Sequence, residues 1–152
     1  MKYKTMKMII HLTKFHFSIG EYPGPHYSLN FKKGKFEYRC IPDFEPMTRM
    51  INPVVDENTD WDKIKVHLDS KSQDLDLPAD KFVNFLKYVK RYCSHWKGKY
   101  KLGSEPVLDG TMWEVNIKTK DFSLKSEGHV SYPMNFDTFL LKLEQLTGKI
   151  FE

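Results

Sequence analysis

The amino-acid sequence predicts an α+β fold: an antiparallel sheet of about five or six strands with two amphipathic helices packed on it. Three observations carry this. Runs at 27–31, 36–41 and 112–119 alternate apolar and polar residues, the two-residue period of a half-buried strand. Stretches at 79–96 and 135–147 repeat apolar residues at helical spacing. The order is strands, helix, hairpin, helix, as in a sheet covered by helices on one side.

The elements follow in chain order. Residues 8–19 form a strand containing Ile10, Leu12, Phe15 and Phe17, the two phenylalanines on a shifted register. Gly20 to Pro25 breaks it, because proline lacks the ladder donor. Tyr27, Leu29 and Phe31 alternate with Ser28 and Asn30, and Phe36, Tyr38 and Cys40 with Glu37 and Arg39. Lys32-Lys33-Gly34-Lys35 is the hairpin turn between them. Residues 42–80 hold Pro42, Pro46, Pro53 and Pro78 and a polar run, and Trp61–Leu68 suits either a strand or a helical turn. From 79 to 96, Phe82, Phe85, Leu86, Val89, Cys93 and Trp96 make one apolar stripe, with Pro78 suited to the first turn and Gly98 to the end. Strands at 112–119 and 122–131 are joined at Lys120-Asp121. Asn135 is placed to cap a final helix with its side chain; Phe136, Phe139, Leu140, Leu143 and Leu146 form that helix's stripe, and Gly148 ends it. Phe82, Phe85, Val89, Trp113, Phe139 and Leu143 are expected in the core.

A chain of 152 residues fits one domain, 1–152, with one core. Eleven Phe, eight Tyr and three Trp supply that core and argue against disorder. No apolar run approaches the ~20 residues that cross a bilayer. Met8-Ile9-Ile10 is too short for a signal-peptide core, so a cytoplasmic protein with no membrane partner is expected. Cys40 and Cys93 have no metal or redox spacing and read as half-buried thiols, bridged only if the fold brings strand and helix together.

Motifs for chemistry are missing. The six histidines form no zinc pattern. Asp56, Asp60 and Asp62 suggest a calcium loop, but Trp61 and His67 stand where that loop needs Gly and Glu. No phosphate loop, dinucleotide fingerprint or nucleophile elbow is present. The reading is therefore of no catalytic residue, no metal and no cofactor.

Charge is segregated along the chain. Residues 1–42 carry a net +6, residues 43–80 a net −6, residues 81–104 a net +7, and the remainder −3. Such blocks can steer charged partners.

Two C-terminal patterns, Asp109-Gly110-Thr111-Met112-Trp113 in a hairpin and Gly128-His129-Val130-Ser131-Tyr132-Pro133-Met134-Asn135-Phe136 at a helix start, resemble those of small uncharacterised bacterial α+β proteins. The resemblance spans about residues 109–146. It implies an architecture and a bacterial or phage source, and no activity.

The function expected is a non-enzymatic protein-binding module, an immunity protein or inhibitor acting on a protein partner. Its expected contact residues are Tyr22 and His26 on the proline-stiffened loop, and Phe44 and Trp61 beside Asp56, Glu57 and Asp60. Those acids would favour a basic partner. The alternative is a nucleic-acid-associated protein that uses Lys87, Lys90, Arg91, Lys97 and Lys99 against phosphates, with interleaved tyrosines for stacking.

Overall fold

Alternation sends Phe15, Phe17 and Ile19 of the first strand to one face and His16, Ser18 and Gly20 to the other. A computed structural model describes residues 11–21, 26–40, 72–103 and 110–151. Among them run β1 (Lys14–Glu21), β2 (Tyr27–Lys32), β3 (Lys35–Cys40), β4 (Ser72–Leu75), α1 (Ala79–Tyr92), β5 (Lys99–Lys101), β6 (Thr111–Lys118), β7 (Ser123–His129) and α2 (Phe136–Thr147). The strands form one seven-stranded sheet in the order β4-β3-β2-β1-β6-β7-β5. Every neighbouring pair is antiparallel except β5 and β7, which are parallel.

The α+β class and the single-sided helix layer agree with the sequence reading, but the sheet has more strands than the five or six expected. Ser72–Leu75 and Lys99–Lys101 are the additions, both short strands at the sheet edges. The strand expected at 8–19 runs instead from Lys14 to Glu21, two residues further into the glycine-proline break. The segment Trp61–Leu68 lies outside the described residues.

Local chemistry explains the turns. Lys33 and Gly34 have φ of 51° and 78°, so both central residues of the β2–β3 hairpin are left-handed, as a tight two-residue turn matched to strand twist requires. Between β6 and β7 the Thr119 hydroxyl accepts the backbone N–H groups of Asp121 and Phe122, each at 3.2 Å.

Both helices cover the same face. Phe15 packs on Phe82 and Phe85, Phe36 on Phe82, and Phe17 on Phe139, with ring centroids 4.9–6.2 Å apart. All six residues expected in the core are buried. Gly148, at φ 67°, reverses the chain after α2, and Phe151 returns to pack on Phe17 and Tyr38. Helix α1 is shorter than expected. Pro78 is its N-cap rather than part of its first turn, and it ends at Tyr92, well before Gly98. Cys93 begins a further turn in which the Trp96 N–H bonds to the Cys93 carbonyl, and this still carries Trp96 into the core.

Asn135 departs from its expected role. It stands at the N-cap of α2, yet its side chain makes no cap hydrogen bond. Its amide instead donates to the Tyr92 carbonyl at the end of α1 (2.6 Å), and its oxygen accepts the Trp96 indole N–H (2.8 Å). The tertiary partners won because the last carbonyls of α1 and a buried indole N–H also need satisfying. The neighbouring indole of Trp113 donates to the Ser131 carbonyl (2.9 Å) and lies against Gly128, where any Cβ would overlap both the indole nitrogen and that carbonyl.

Asn135→Ala should therefore strip partners from two groups and destabilise the fold by about 2 kcal/mol or more. Gly128→Ala should destabilise it comparably by displacing the indole. Urea unfolding followed by tryptophan fluorescence measures both, and wild-type midpoints would refute these roles.

Candidate functional site

Among the described residues the helices leave one face of the sheet without a helix layer, and antiparallel sheets tolerate water there when alternate residues are polar. Because register partners share a face, the pairing resolves this surface into rows that cross the strands. One row is Asp74, Glu37, Asn30, His16, Asn116 and Lys125, one residue each from β4, β3, β2, β1, β6 and β7. The next is Ser72, Arg39, Ser28, Ser18, Glu114, Glu127 and Lys99, crossing all seven strands. Small residues make the middle low: Ser18 and Ser28 are buried between longer neighbours on either side. Two depressions occupy the face. One, of about 740 Å³, is bordered by Lys14, His16, Asn30, Lys32, Glu114 and Asn116. The other, of about 410 Å³, is bordered by Ser18, Gly20, Lys101, Met112 and His129.

One contact directly across and one diagonal contact lock the centre. The His16 ring meets the Asn30 side-chain amide at 2.5 Å through Nδ1 and Glu114 Oε1 at 2.6 Å through Nε2. Three strands are thus tied by side chains on the exposed face. Among the described residues no hydroxyl or thiol bonds to His16, and the two contacts hold its imidazole in place. No group of three or more His, Cys, Asp or Glu is placed to hold a metal ion among the described residues. No described helix is long and apolar enough to cross a membrane.

The sequence-derived contact residues fare unevenly. Tyr22, Phe44, Asp56, Glu57, Asp60 and Trp61 lie outside the described residues. His26 is half-buried against Tyr27, and burial lowers its pKa while Glu21 opposes that shift more weakly. The basic set does not form one surface. Lys87, Lys90 and Arg91 are exposed on α1, where the Arg91 guanidinium lies 5.4 Å from the Tyr92 ring. Lys99 stands on β5 on the helix-free face, 3.9 Å from Glu127, while the Lys97 backbone joins β7 through Ser126. The residues the sequence reading missed are His16, Asn30, Glu114, Asn116 and Lys125. Each is an ordinary polar residue at its own position, and only the strand order groups them.

The chain matches no protein-family model, no curated protein and no solved structure.

The cysteines stand apart from this face and are both free thiols. Cys40 is half-buried as expected, whereas Cys93 is fully buried and its thiol is pushed up to about 12 by burial. A thiolate is the reactive form, and at pH 8 a group titrating near 12 supplies it in only about 1 molecule in 10,000. A thiol-disulfide reagent at pH 8 should therefore titrate no more than one cysteine in the native protein and the second only in denaturant. Two fast equivalents without denaturant would contradict the burial of Cys93.

Proposed function

We propose that this chain is a non-enzymatic protein-binding module, of the immunity-protein or inhibitor type, and that it binds through the helix-free face of its sheet. The observation that carries the reading is that face itself. It spans about 29 Å across seven strands at ~4.8 Å spacing, and its longest strands, of eight residues, run ~26 Å, a footprint of several hundred Å² that approaches the ~800 Å² per partner of a standard interface. It is polar and rimmed by charge, and its central side chains are already held by the His16–Asn30–Glu114 contacts, so little side-chain freedom is lost on binding. A bacterial or phage source and a cytoplasmic setting accompany this proposal, on the strength of the C-terminal pattern around Trp113, Gly128 and Asn135. Tyr22 and Trp61 remain part of it as further expected contacts.

A second reading has its own observation. On the outer side of the helices, Tyr88 and Tyr92 lie 5.1 Å apart, with Arg91 against one ring and Lys142 4.8 Å from the other. Cationic and aromatic groups so placed suit a nucleic-acid strand. The helix-free sheet face offers no such stacking aromatic among the described residues, so nucleic acid would belong to the helix side.

The two readings separate in one experiment. Ser18→Tyr raises a bulky ring from the low centre of the sheet face, and the pair Lys90→Glu with Arg91→Glu reverses charge on α1. Affinity capture from the native host should retain a protein partner with wild type and with the α1 pair, and lose it with Ser18→Tyr. Capture lost only with the α1 pair, and abolished by nuclease and by moderate salt, would replace protein binding with nucleic-acid binding.

A further inference from the structure

A third row on the helix-free face holds positive charge across four adjacent strands. Lys35 of β3 is the register partner of Lys32 of β2, and Lys14 of β1 is the partner of Lys118 of β6. His16 pairs with Asn30, so two residues further along the same antiparallel register Lys14 neighbours Lys32. The row is thus Lys35, Lys32, Lys14 and Lys118, and it meets Ser123 of β7 at its end. All four lysines are exposed. Among the described residues Lys35 comes within 4.0 Å of Asp74, and the other three reach no carboxylate.

Like charges placed directly opposite on neighbouring strands weaken a sheet. Among the described residues the fold therefore gives no reason for this row, although it does explain the row beside it, where His16 bridges Asn30 and Glu114. Lysine on a sheet edge commonly prevents edge-to-edge pairing, but β1, β2 and β6 are interior strands. Lys14 and Lys32 also border the 740 Å³ depression, which gives the charge a recess to act on.

We propose that the lysine row is a docking site for an acidic segment of a protein partner, rich in aspartate or glutamate. The inference rests on reading the helix-free face as the binding surface. Four lysines at ~4.8 Å strand spacing extend over about 14 Å, and carboxylates at alternate residues of an extended segment span nearly the same distance in five residues. Charge complementarity selects the occupant, and the rows beyond it set its limits. Glu37, Asp74, Glu114 and Glu127 stand on the same face and repel an anion that continues past the lysine row. A polyphosphate backbone must keep its charge along its whole length, whereas an acidic segment can end where the lysines end. A face without stacking aromatics among the described residues also suits carboxylates better than bases.

The test is fluorescence anisotropy with a labelled ten-residue peptide alternating Glu and Ser, its Gln counterpart, and single- and double-stranded DNA, all at low salt. The Glu peptide should bind and the Gln peptide should not. Lys14→Glu with Lys118→Glu should weaken binding at least tenfold, while Lys87→Glu with Lys90→Glu should change it less than twofold. Thermal unfolding guards against misfolding: Lys14→Glu alone faces Lys118 and should be at least as heat-stable as wild type, and it should still weaken the peptide several-fold. Failure of the Glu peptide to bind overturns the inference, as does equal loss in both double variants. DNA that binds as tightly and is lost on reversing Lys14 and Lys118 would make nucleic acid the occupant instead. If the lysine row fails while Ser18→Tyr still abolishes partner capture, the face remains the binding surface and only its acidic partner is refuted.

Discussion

Asn135 joins three parts of the molecule through directed hydrogen bonds. Its amide takes up a carbonyl at the end of α1, its oxygen takes up the Trp96 N–H, and its backbone carbonyl starts α2 by accepting from Phe139 at 3.1 Å. Around it Trp96, Trp113, Phe136 and Phe139 form a continuous aromatic cluster, with centroids 4.7–6.3 Å apart. Apolar contact alone has little directional preference. The hydrogen bonds of Asn135 and Trp113 are directional, and they set how the two helices sit on the sheet. The absence of a side chain at Gly128 is what lets Trp113 lie close enough to reach the Ser131 carbonyl.

That arrangement has a consequence on the other side of the sheet. With both helices committed to one face, aromatic residues are drawn to that face, and the polar alternates are left to water. The helix-free side is consequently poor in apolar anchors, Met112 being its exposed exception. What that side presents is charge and hydrogen-bonding groups on a prearranged surface. Such surfaces gain specificity and association rate from electrostatics more than they gain affinity from burial.

Much of the fold was legible because long segments with a clean period report their own structure. The stripe from Phe82 to Val89 and the alternation from Trp113 to Ile117 each specify a type of element and a buried face. Two short edge strands were not legible. Ser72-Gln73-Asp74-Leu75 has one apolar residue, and Lys99-Tyr100-Lys101 reads as part of a basic run. Both are strands because a neighbour offers its unpaired backbone, β3 in one case and β7 in the other. That is a tertiary cause with no local signature. Asn135 was misread for a related reason: a sequence shows that an asparagine precedes a helix, but not that Tyr92 and Trp96 will be closer.

The candidate site was less legible than the fold, and its charges show why. Read along the chain, residues 81–104 are a block of basic charge and suggest one cationic surface. The fold dismantles the block, sending Lys87, Lys90 and Arg91 to the helix exterior and Lys99 to the sheet, where Glu127 meets it. Read across the strands, Lys14, Lys32, Lys35 and Lys118 come together from positions spread over most of the described chain, and none of them stood out alone. A helix displays neighbours three or four residues apart, so its surface charge can be estimated from sequence spacing. A sheet displays neighbours set by strand order and register, and neither is encoded locally. For this protein the make-up of the exposed sheet face is therefore a product of topology. The sequence periods determine which residues face outward, and the pairing of β3, β2, β1 and β6 determines which of those residues act together.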